Sequence, residues 1–327
     1  MKAERDQKNL SSGGVTAPFI AVDWGTSQMR AMLVNAVTPG RAAGQPGVPT
    51  VRGRGIGKLK GTPADELFDA VASWASDLPG VPLLLGGMAG SNMGLREAAY
   101  VPTPVAPVEL VQHVLAFELH GHPISIVPGL SGRNSLGLPD TMRGEEVQIL
   151  GWIEELSTEA HPSRLLCLPG THTKWALVEE GRVGTFTTSL TGELYDLLAM
   201  QSVLVPPGQR NVGQWDSAAF EHGVVLARDN AEHLPHLLFS ARARKLIPDH
   251  DYGDAASYLS GLLIGADVHA ALRSFDAEAL PIEIIGSSLL CERFALTLEI
   301  FGYGSVCHEG DAAALAGFKF IAGSLAL

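Results

Sequence analysis

"FIAVDWGTSQMRAMLV", residues 19–34, is the stretch that decides the fold. Residues 19–22 read as a short buried strand and 29–34 as a second, each apolar and bounded by turn residues. A plain hairpin needs Gly25 between them but has no use for Asp23, a carboxylate at the end of the first strand. Backbone N–H groups and hydroxyls gathered in a tight glycine-bearing bend can cradle phosphate oxygens without cationic side chains. Asp23, Gly25, Thr26 and Ser27 are therefore candidate site residues.

The bend recurs. Placing Gly25-Thr26 over Gly170-Thr171 aligns GTSQMRAMLV with GTHTKWALV after one deletion, and each copy follows a short apolar strand. One supersecondary unit thus occurs in each half of the chain. Two such bends facing each other across a cleft would clamp a triphosphate tail. The alternative, that Gly-Thr is a common hairpin turn, fits either copy alone better than it fits both. No G-x-x-x-x-G-K-[ST] occurs, and GRGIGKLKG (53–61) follows no convincing strand.

The totals bound the rest. With 327 residues the chain is long enough for two domains. Few aromatics and abundant glycine and alanine favour an α/β protein with close helix-to-sheet packing. A formal net charge of −12 argues against a nucleic-acid partner, which needs a basic surface, and directs attention to the few arginines near a pocket. Cys167, Cys291 and Cys307 lack metal-ligand spacing and read as buried free thiols of a cytoplasmic protein. Residues 1–16 are polar, without a signal-peptide core, and read as a disordered extension. The longest apolar stretches, such as 312–327 with its Lys319, are too short and broken to span a bilayer, so no membrane partner is expected.

Along the chain, Thr62-Pro63-Ala64-Asp65 is a helix start, after which Leu67, Phe68, Val71, Trp74, Ala75 and Leu78 share one face. Residues 81–85 form a buried strand followed by GGMAGSNMG (86–94), at the carboxyl end where open α/β sheets bind ligands. Ser91 and Asn92 there suit substrate hydroxyls, or a turn that satisfies its own backbone. Residues 102–107 are proline-rich and 126–140 loop-like, which places a crossing near Met142 and divides the chain into lobes 17–142 and 143–327. The helix 143–156 opens with two carboxylates in its first turn. The turn 179–181 and the strand 183–188 follow the second bend. Residues 254–272 form a small-residue helix in which Gly261 and Gly265 allow close approach. IEIIGSSLL (282–290) is strand, turn and helix, and an alanine-rich helix closes the chain. The small-residue helices suit either a homodimer or a tightly packed lobe.

VDWGTSQMRA, GGMAGSNMG, MRGEEVQILG, LPGTHTKW, LTGELYDLL and SGLLIGADV occur in this order. Together they resemble the 2-dehydro-3-deoxygalactonokinase family, within the acetate and sugar kinase, Hsp70 and actin superfamily. The resemblance implies two ribonuclease-H-like lobes with a nucleotide cleft between them, ATP and Mg²⁺ as cofactors, and a small sugar-acid substrate. It also implies transfer of the γ-phosphoryl group to the terminal (6-) hydroxyl of 2-dehydro-3-deoxy-D-galactonate, in galactonate breakdown. By the same resemblance, residues 22–27 and 168–174 are the two phosphate motifs and 284–290 the adenosine motif. The segments 143–151 and GDAAALAG (310–317) are the two connecting segments. Asp23 would then hold Mg²⁺ through water. Gly25, Thr26, Ser27, Gly170 and Thr171 would line the phosphates, and Gly286, Ser287 and Ser288 the adenosine.

Phosphoryl transfer needs charge neutralisation, in-line positioning and a group to accept the hydroxyl proton. Glu145 stands where glycerol-kinase-like relatives carry the aspartate base. Glu146 points about 100° away on a helix and is the runner-up, or a helix-start carboxylate. Lys174 either reaches a phosphate or is a solvated turn lysine, and His172 reads as a loop hydrogen-bonder. A keto-acid carboxylate suits an arginine fork. Arg143 is preferred over Arg96 and over Arg30, which has a structural alternative. Thr191 and Glu193 open a helix in a further polar loop and are added as substrate contacts, Glu193 with a helix-start alternative. Acceptor stereochemistry leaves no readable motif. A kinase of another sugar or sugar acid, and an ATP-binding regulator without an acceptor, stay open.

Overall fold

The computed structural model describes residues 17–35, 48–156, 163–209, 215–247 and 253–327; the extension expected over 1–16 lies outside them. Contacts divide the chain into two compact units. One comprises Met1–Ser131, Thr141–Ala160 and Ala312–Leu327, the other Gly132–Asp140 and His161–Asp311.

In chain order the first unit carries β1 (Phe19–Trp24), β2 (Gln28–Val34), β3 (Thr50–Arg54), α1 (Pro63–Asp77) and β4 (Leu83–Gly87). There follow β5 (Val101–Pro102), α2 (Pro107–Val111), β6 (Leu115–Leu119) and β7 (His122–Ile126), then the short strands β8 (Leu130–Arg133) and β9 (Pro139–Met142), whose residues 132–133 and 139–140 group with the second unit, and α3 (Glu145–Gly151). Its sheet runs β3-β2-β1-β4-β7-β6. β1 pairs antiparallel with β2 and parallel with β4, and β4 is parallel to β7. Thr62 caps α1 as its spacing predicts: its hydroxyl accepts from the Asp65 amide at 3.2 Å, and the Asp65 carboxylate reaches back to Thr62 N–H. The apolar face of α1 buries Leu67 and Val71 on a core that includes Ile20, Val22, Trp24, Leu83 and Leu85, with Phe68, Trp74, Ala75 and Leu78 packed around it.

The second unit carries β10 (Arg164–Leu168), β11 (Thr173–Glu179), β12 (Arg182–Ser189), α4 (Thr191–Gln201), α5 (Ser217–Asp229), α6 (Leu234–Ala243) and α7 (Ala255–Ser274). β13 (Ile282–Gly286), α8 (Ser288–Ile300) and β14 (Ser305–Glu309) complete it. The last helix, α9 (Gly310–Leu325), belongs with the first unit from Ala312 onward. The second sheet runs β12-β11-β10-β13-β14, again with its first strand antiparallel to the second and parallel to the fourth. Without the edge strand β6, both sheets have the same order and directions, the ribonuclease-H-like arrangement. The repeat read from Gly-Thr is a repeat of whole sheets.

Several boundaries differ from expectation. β4 runs into the first two glycines of GGMAGSNMG, and the loop-like segment 126–140 contains β8 and the first half of β9. The helix foreseen over 143–156 is α-helical only through Gly151 and widens to a π turn over Trp152–Leu156. That helix and most of α9 group with the N-terminal half, whereas the sequence suggested a second lobe over 143–327. The reason is a tight helix crossing. Gly151 lies against the Ala313 carbonyl, and Gly317 against that of Val147, with no room for a β-carbon at either. Cys167 and Cys291 are buried as expected, but Cys307 is exposed near the edge-strand end of its sheet. α7 is, contrary to the reading of the apolar stretches, long and apolar enough to cross a membrane by length and composition, and 83% of that window is buried. Its glycines serve helix packing: Gly261 touches the Phe220 carbonyl of α5.

Candidate functional site

The first bend is closed by Gly25 N–H donating to Gln28 O at 2.9 Å, with Thr26 and Ser27 exposed. Its carbonyls are turned into the scaffold. Gly25 O accepts from Ile56 N at 3.1 Å and Thr26 O from Gly57 N at 3.0 Å. Gly55 packs on the same backbone so tightly that no side chain fits. Carbonyl oxygens would repel a phosphate, so tying them back is what makes a bend suitable for an anion. Residues 55–57 lie in the stretch the sequence reading set aside as a poor nucleotide fingerprint. Their role is to back the bend, and glycine alternation at 53, 55 and 57 was the available signal.

Asp23 sits at the carboxyl end of β1, opposite Arg30 of β2 in register. Arg30 Nη2 donates to Asp23 Oδ2 at 2.9 Å, with the two side chains 12% and 30% exposed. Desolvation by the surrounding protein raises the Asp23 carboxyl above its ordinary range, Arg30 opposes this, and the Glu145 charge adds to the rise. Arg30, expected on the substrate carboxylate, is thus engaged with Asp23. Glu145 begins α3 after Gly144, whose backbone has φ of 112° and lies against Gly87 at the end of β4. Its Oε2 accepts from Arg143 N–H at 3.2 Å, and its side chain is half-buried. Glu146 is wholly buried and its Oε2 accepts from Gly144 N–H at 2.6 Å. Burial, and then the adjacent Glu145 charge, push its carboxyl up to about 8. Of the two carboxylates only Glu145 has exposed surface to meet a hydroxyl.

Arg143 Nη2 donates to Ala98 O at 2.7 Å, and its guanidinium lies 4.3 Å from the Tyr100 ring centre. Its Nη1 packs on Gly90, in the glycine loop after β4, and Nη1 and Nε are buried without a hydrogen-bond partner. Arg143 is therefore built into the wall of that loop. Ser91 Oγ donates to Met88 O at 2.8 Å and accepts from Met93 N–H, the turn that satisfies its own backbone; Asn92 is exposed. Asp23, Arg30, Glu145, Arg143 and the glycine loop are thus gathered at one end of the first sheet.

The second bend, between β10 and β11, repeats the first. Thr171 is exposed, while its carbonyl accepts from Glu193 N–H at 2.9 Å and Gly192 packs on Gly170 O. Glu193 pairs with His172 Nε2 at 2.5 Å. Lys174 is only 4% exposed and donates to His172 O at 2.9 Å, so it is not a solvated turn lysine. Thr191 is buried, its hydroxyl given to Asp267 Oδ2 at 2.6 Å. Thr191, expected as a substrate contact, instead has its hydroxyl engaged inside the protein and anchors the turn that opens α4. Asp267, in the middle of the apolar α7, is a site-supporting residue that sequence reasoning missed, because a single carboxylate among small residues carries no pattern.

The turn at 286–288, which the resemblance assigns to adenosine, is next to this bend. Gly286 ends β13 with its α-carbon facing Pro169, and Ser288 Oγ donates to Glu309 Oε1 at 3.1 Å. Both features lie at the carboxyl ends of parallel strands, where α/β sheets bind ligands. Gly170, Thr171, Gly286, Ser287 and Ser288 are therefore brought together within the second unit.

Two ribonuclease-H-like sheets, each ending in a bend with its carbonyls withdrawn, one beside a carboxylate pair and the other beside a glycine-serine turn, define a two-unit ATP-dependent phosphotransferase. A family model described as 2-keto-3-deoxy-galactonokinase matches residues 23–321, and the chain belongs to that family. It is 34% identical over 92% of its length to a relative from Rhizobium meliloti named a probable 2-dehydro-3-deoxygalactonokinase, covering 95% of that protein. It is 30% identical to the 2-dehydro-3-deoxygalactonokinase of Escherichia coli, over 95% of this chain and 100% of that one. A crystal structure from Sinorhizobium meliloti, provisionally assigned the same activity, superposes with a TM-score of 0.76 at 32% identity, covering 93% of this chain and 95% of that one. The chain is accordingly a sugar-acid kinase that uses ATP.

Proposed function

We propose that the chain transfers the γ-phosphoryl group of ATP to the terminal (6-) hydroxyl of 2-dehydro-3-deoxy-D-galactonate, in galactonate breakdown. The observation that carries this reading is the family match from residue 23 to 321, which spans both bends, the carboxylates of α3 and the adenosine turn. Glu145 takes the hydroxyl proton as the oxygen attacks phosphorus, and ADP leaves. A half-buried carboxylate at the start of a helix is suited to that work. Gly25, Thr26, Ser27, Gly170 and Thr171 offer amides and hydroxyls to phosphate oxygens, with Lys174 behind the second bend. Gly286, Ser287 and Ser288 receive the adenosine. Asn92, the Ser91 turn, Arg143 and the Thr191–Glu193 turn shape the acceptor side, while Arg30 sets the charge state of Asp23.

Mg²⁺ fits the donor set. It keeps several waters and binds through one or two carboxylates plus phosphates. Asp23 stands close enough to Glu145 for that charge to add to the rise of the Asp23 carboxyl, a clash that a cation relieves. Among the described residues no group of three His, Cys, Asp or Glu could hold a metal ion alone, which agrees with an ion held largely by substrate and water. When bound, the ion supplies neutralisation of phosphate charge, and Asp23 is the residue that would hold it. The acidic balance of the chain supports small substrates in the cytoplasm over nucleic-acid or membrane partners.

The test is ADP release measured across a panel of sugar acids differing in one hydroxyl configuration. Stimulation by 2-dehydro-3-deoxygalactonate at least tenfold above its epimers supports the reading. Equal stimulation by an epimer, or by none, overturns it.

A further inference from the structure

We infer that Asp267 is a positioning residue for the second bend, holding Trp175 on one side and Thr191 on the other so that residues 170–174 keep the shape required for ATP. This inference rests on the proposed use of that bend for phosphate. Trp175 Nε1 donates to Asp267 Oδ1 at 3.1 Å and Thr191 Oγ1 to Oδ2 at 2.6 Å. Ser189 Oγ lies 2.7 Å from Thr191 Oγ1 and also hydrogen-bonds the carboxylate. Trp175 follows Lys174 in β11, just past the bend. Thr191 opens α4, whose next two residues press on Gly170 O and donate to Thr171 O. One carboxylate therefore ties down the chain on both sides of Thr171.

The chemistry requires an acceptor at this point. Trp175 has only a donor to offer, so the group facing it must accept. An ionised carboxylate accepts all three hydrogen bonds; a protonated one or an amide accepts from Trp175 only by turning its own hydrogen on the Thr191 or Ser189 hydroxyl, which reverses that bond and gives up the charge that strengthens the others. Asp267 is 7% exposed, and burial pushes its carboxyl up to about 6 against the hydrogen bonds from Thr191, Trp175 and Ser189. The titratable group that faces it from β10 is Cys167, whose thiol burial drives well above its usual range, so it stays neutral. The bend is therefore fully braced only above the pH at which Asp267 ionises.

The decisive experiment uses the whole chain with Asp267→Asn and Trp175→Phe, with kcat and both KM values measured from pH 5 to 8 and thermal unfolding alongside. Asp267→Asn is expected to raise KM for ATP on the order of 10- to 100-fold, with a smaller rise in KM for the sugar acid through the Thr191 turn. Wild-type KM for ATP should rise as pH drops through about 6, an acid limb separate from any in kcat, and the folded Asn variant should lack it. Trp175→Phe removes a hydrogen bond that favours the ionised form, so the limb should move to higher pH, a shift that mere loosening of the core would not produce. An unchanged KM for ATP in folded Asp267→Asn, or an acid limb that persists there, overturns the inference. If the Asn variant does not fold, an unmoved limb in Trp175→Phe overturns it. Should no sugar acid stimulate the wild type, the functional reading fails. The inference is then judged separately, by titration with a fluorescent ATP analogue, where equal affinity in wild type and variant refutes it.

Discussion

The α-carbon of Gly192 rests against the carbonyl oxygen of Gly170 with no room for a β-carbon, while a β-carbon on Gly170 itself would meet nothing within 4 Å. The contact fixes the second bend from behind. Gly192→Ala should therefore cost about 1–3 kcal/mol of stability, as overpacking does, and raise KM for ATP. Gly170→Ala should leave the unfolding midpoint where it is. Denaturant unfolding of the two variants checks this, and equal midpoints would count against the packing argument.

Glu145→Gln removes the proton acceptor and leaves the side chain's size. Turnover should fall by about 10²–10⁴-fold, the usual contribution of a general base. ATP affinity, measured by calorimetry, should stay within a few-fold. Near-normal turnover would dismiss Glu145 from the role.

The ion pair between Arg30 and Asp23 governs when Asp23 is charged. Arg30 lowers a carboxyl that burial raises, so Arg30→Met should let Asp23 hold its proton to higher pH. The acid limb of kcat should then move upward in pH, and the requirement for Mg²⁺ should increase. A pH–rate profile with the limb in its wild-type place would show that Asp23 does not need to ionise for turnover.

Glu146 gives a stability prediction. Its folded-state pKa of about 8 stands above the ordinary 4.5, so between those values the folded chain holds a proton that the unfolded chain has released. The contribution to stability is complete below 4.5 and is lost as pH rises through 8. The slope from this group is about 1.4 kcal/mol per pH unit within that window. Glu146→Gln, neutral throughout, should flatten the decline in urea midpoints between pH 5 and 8. Identical slopes in both proteins would contradict the buried protonated state.

What the sequence reveals is mostly local. Alternating apolar runs, the Thr62 cap and the doubled Gly-Thr bend depend on neighbours a few residues apart, and each corresponds to an element in the structure. The repeat predicted one supersecondary unit in each half, and in the structure that unit lies in two sheets of the same strand order. Relations across long separations were illegible. The glycine alternation at 53, 55 and 57 marks a close backbone approach but does not say that its partner is a bend some 30 positions earlier. No pattern in α7 marks Asp267 as the acceptor for Trp175, 92 residues away. The extent of the first unit was hidden for the same reason: Gly151 and Gly317 read as ordinary small residues in separate helices, and only their contact shows that those helices belong together.

That crossing of α3 and α9 carries a consequence for how the molecule is made. A nascent chain emerging from the ribosome can complete its second unit before its first, because residues 312–327 are translated after all of the second unit and yet belong to the first. Until they dock, the helix bearing Glu145 lacks its packing partner. A polypeptide released early by a stop codon would carry an assembled second unit and an unfinished first one, exposed to proteolysis before it could turn over any substrate.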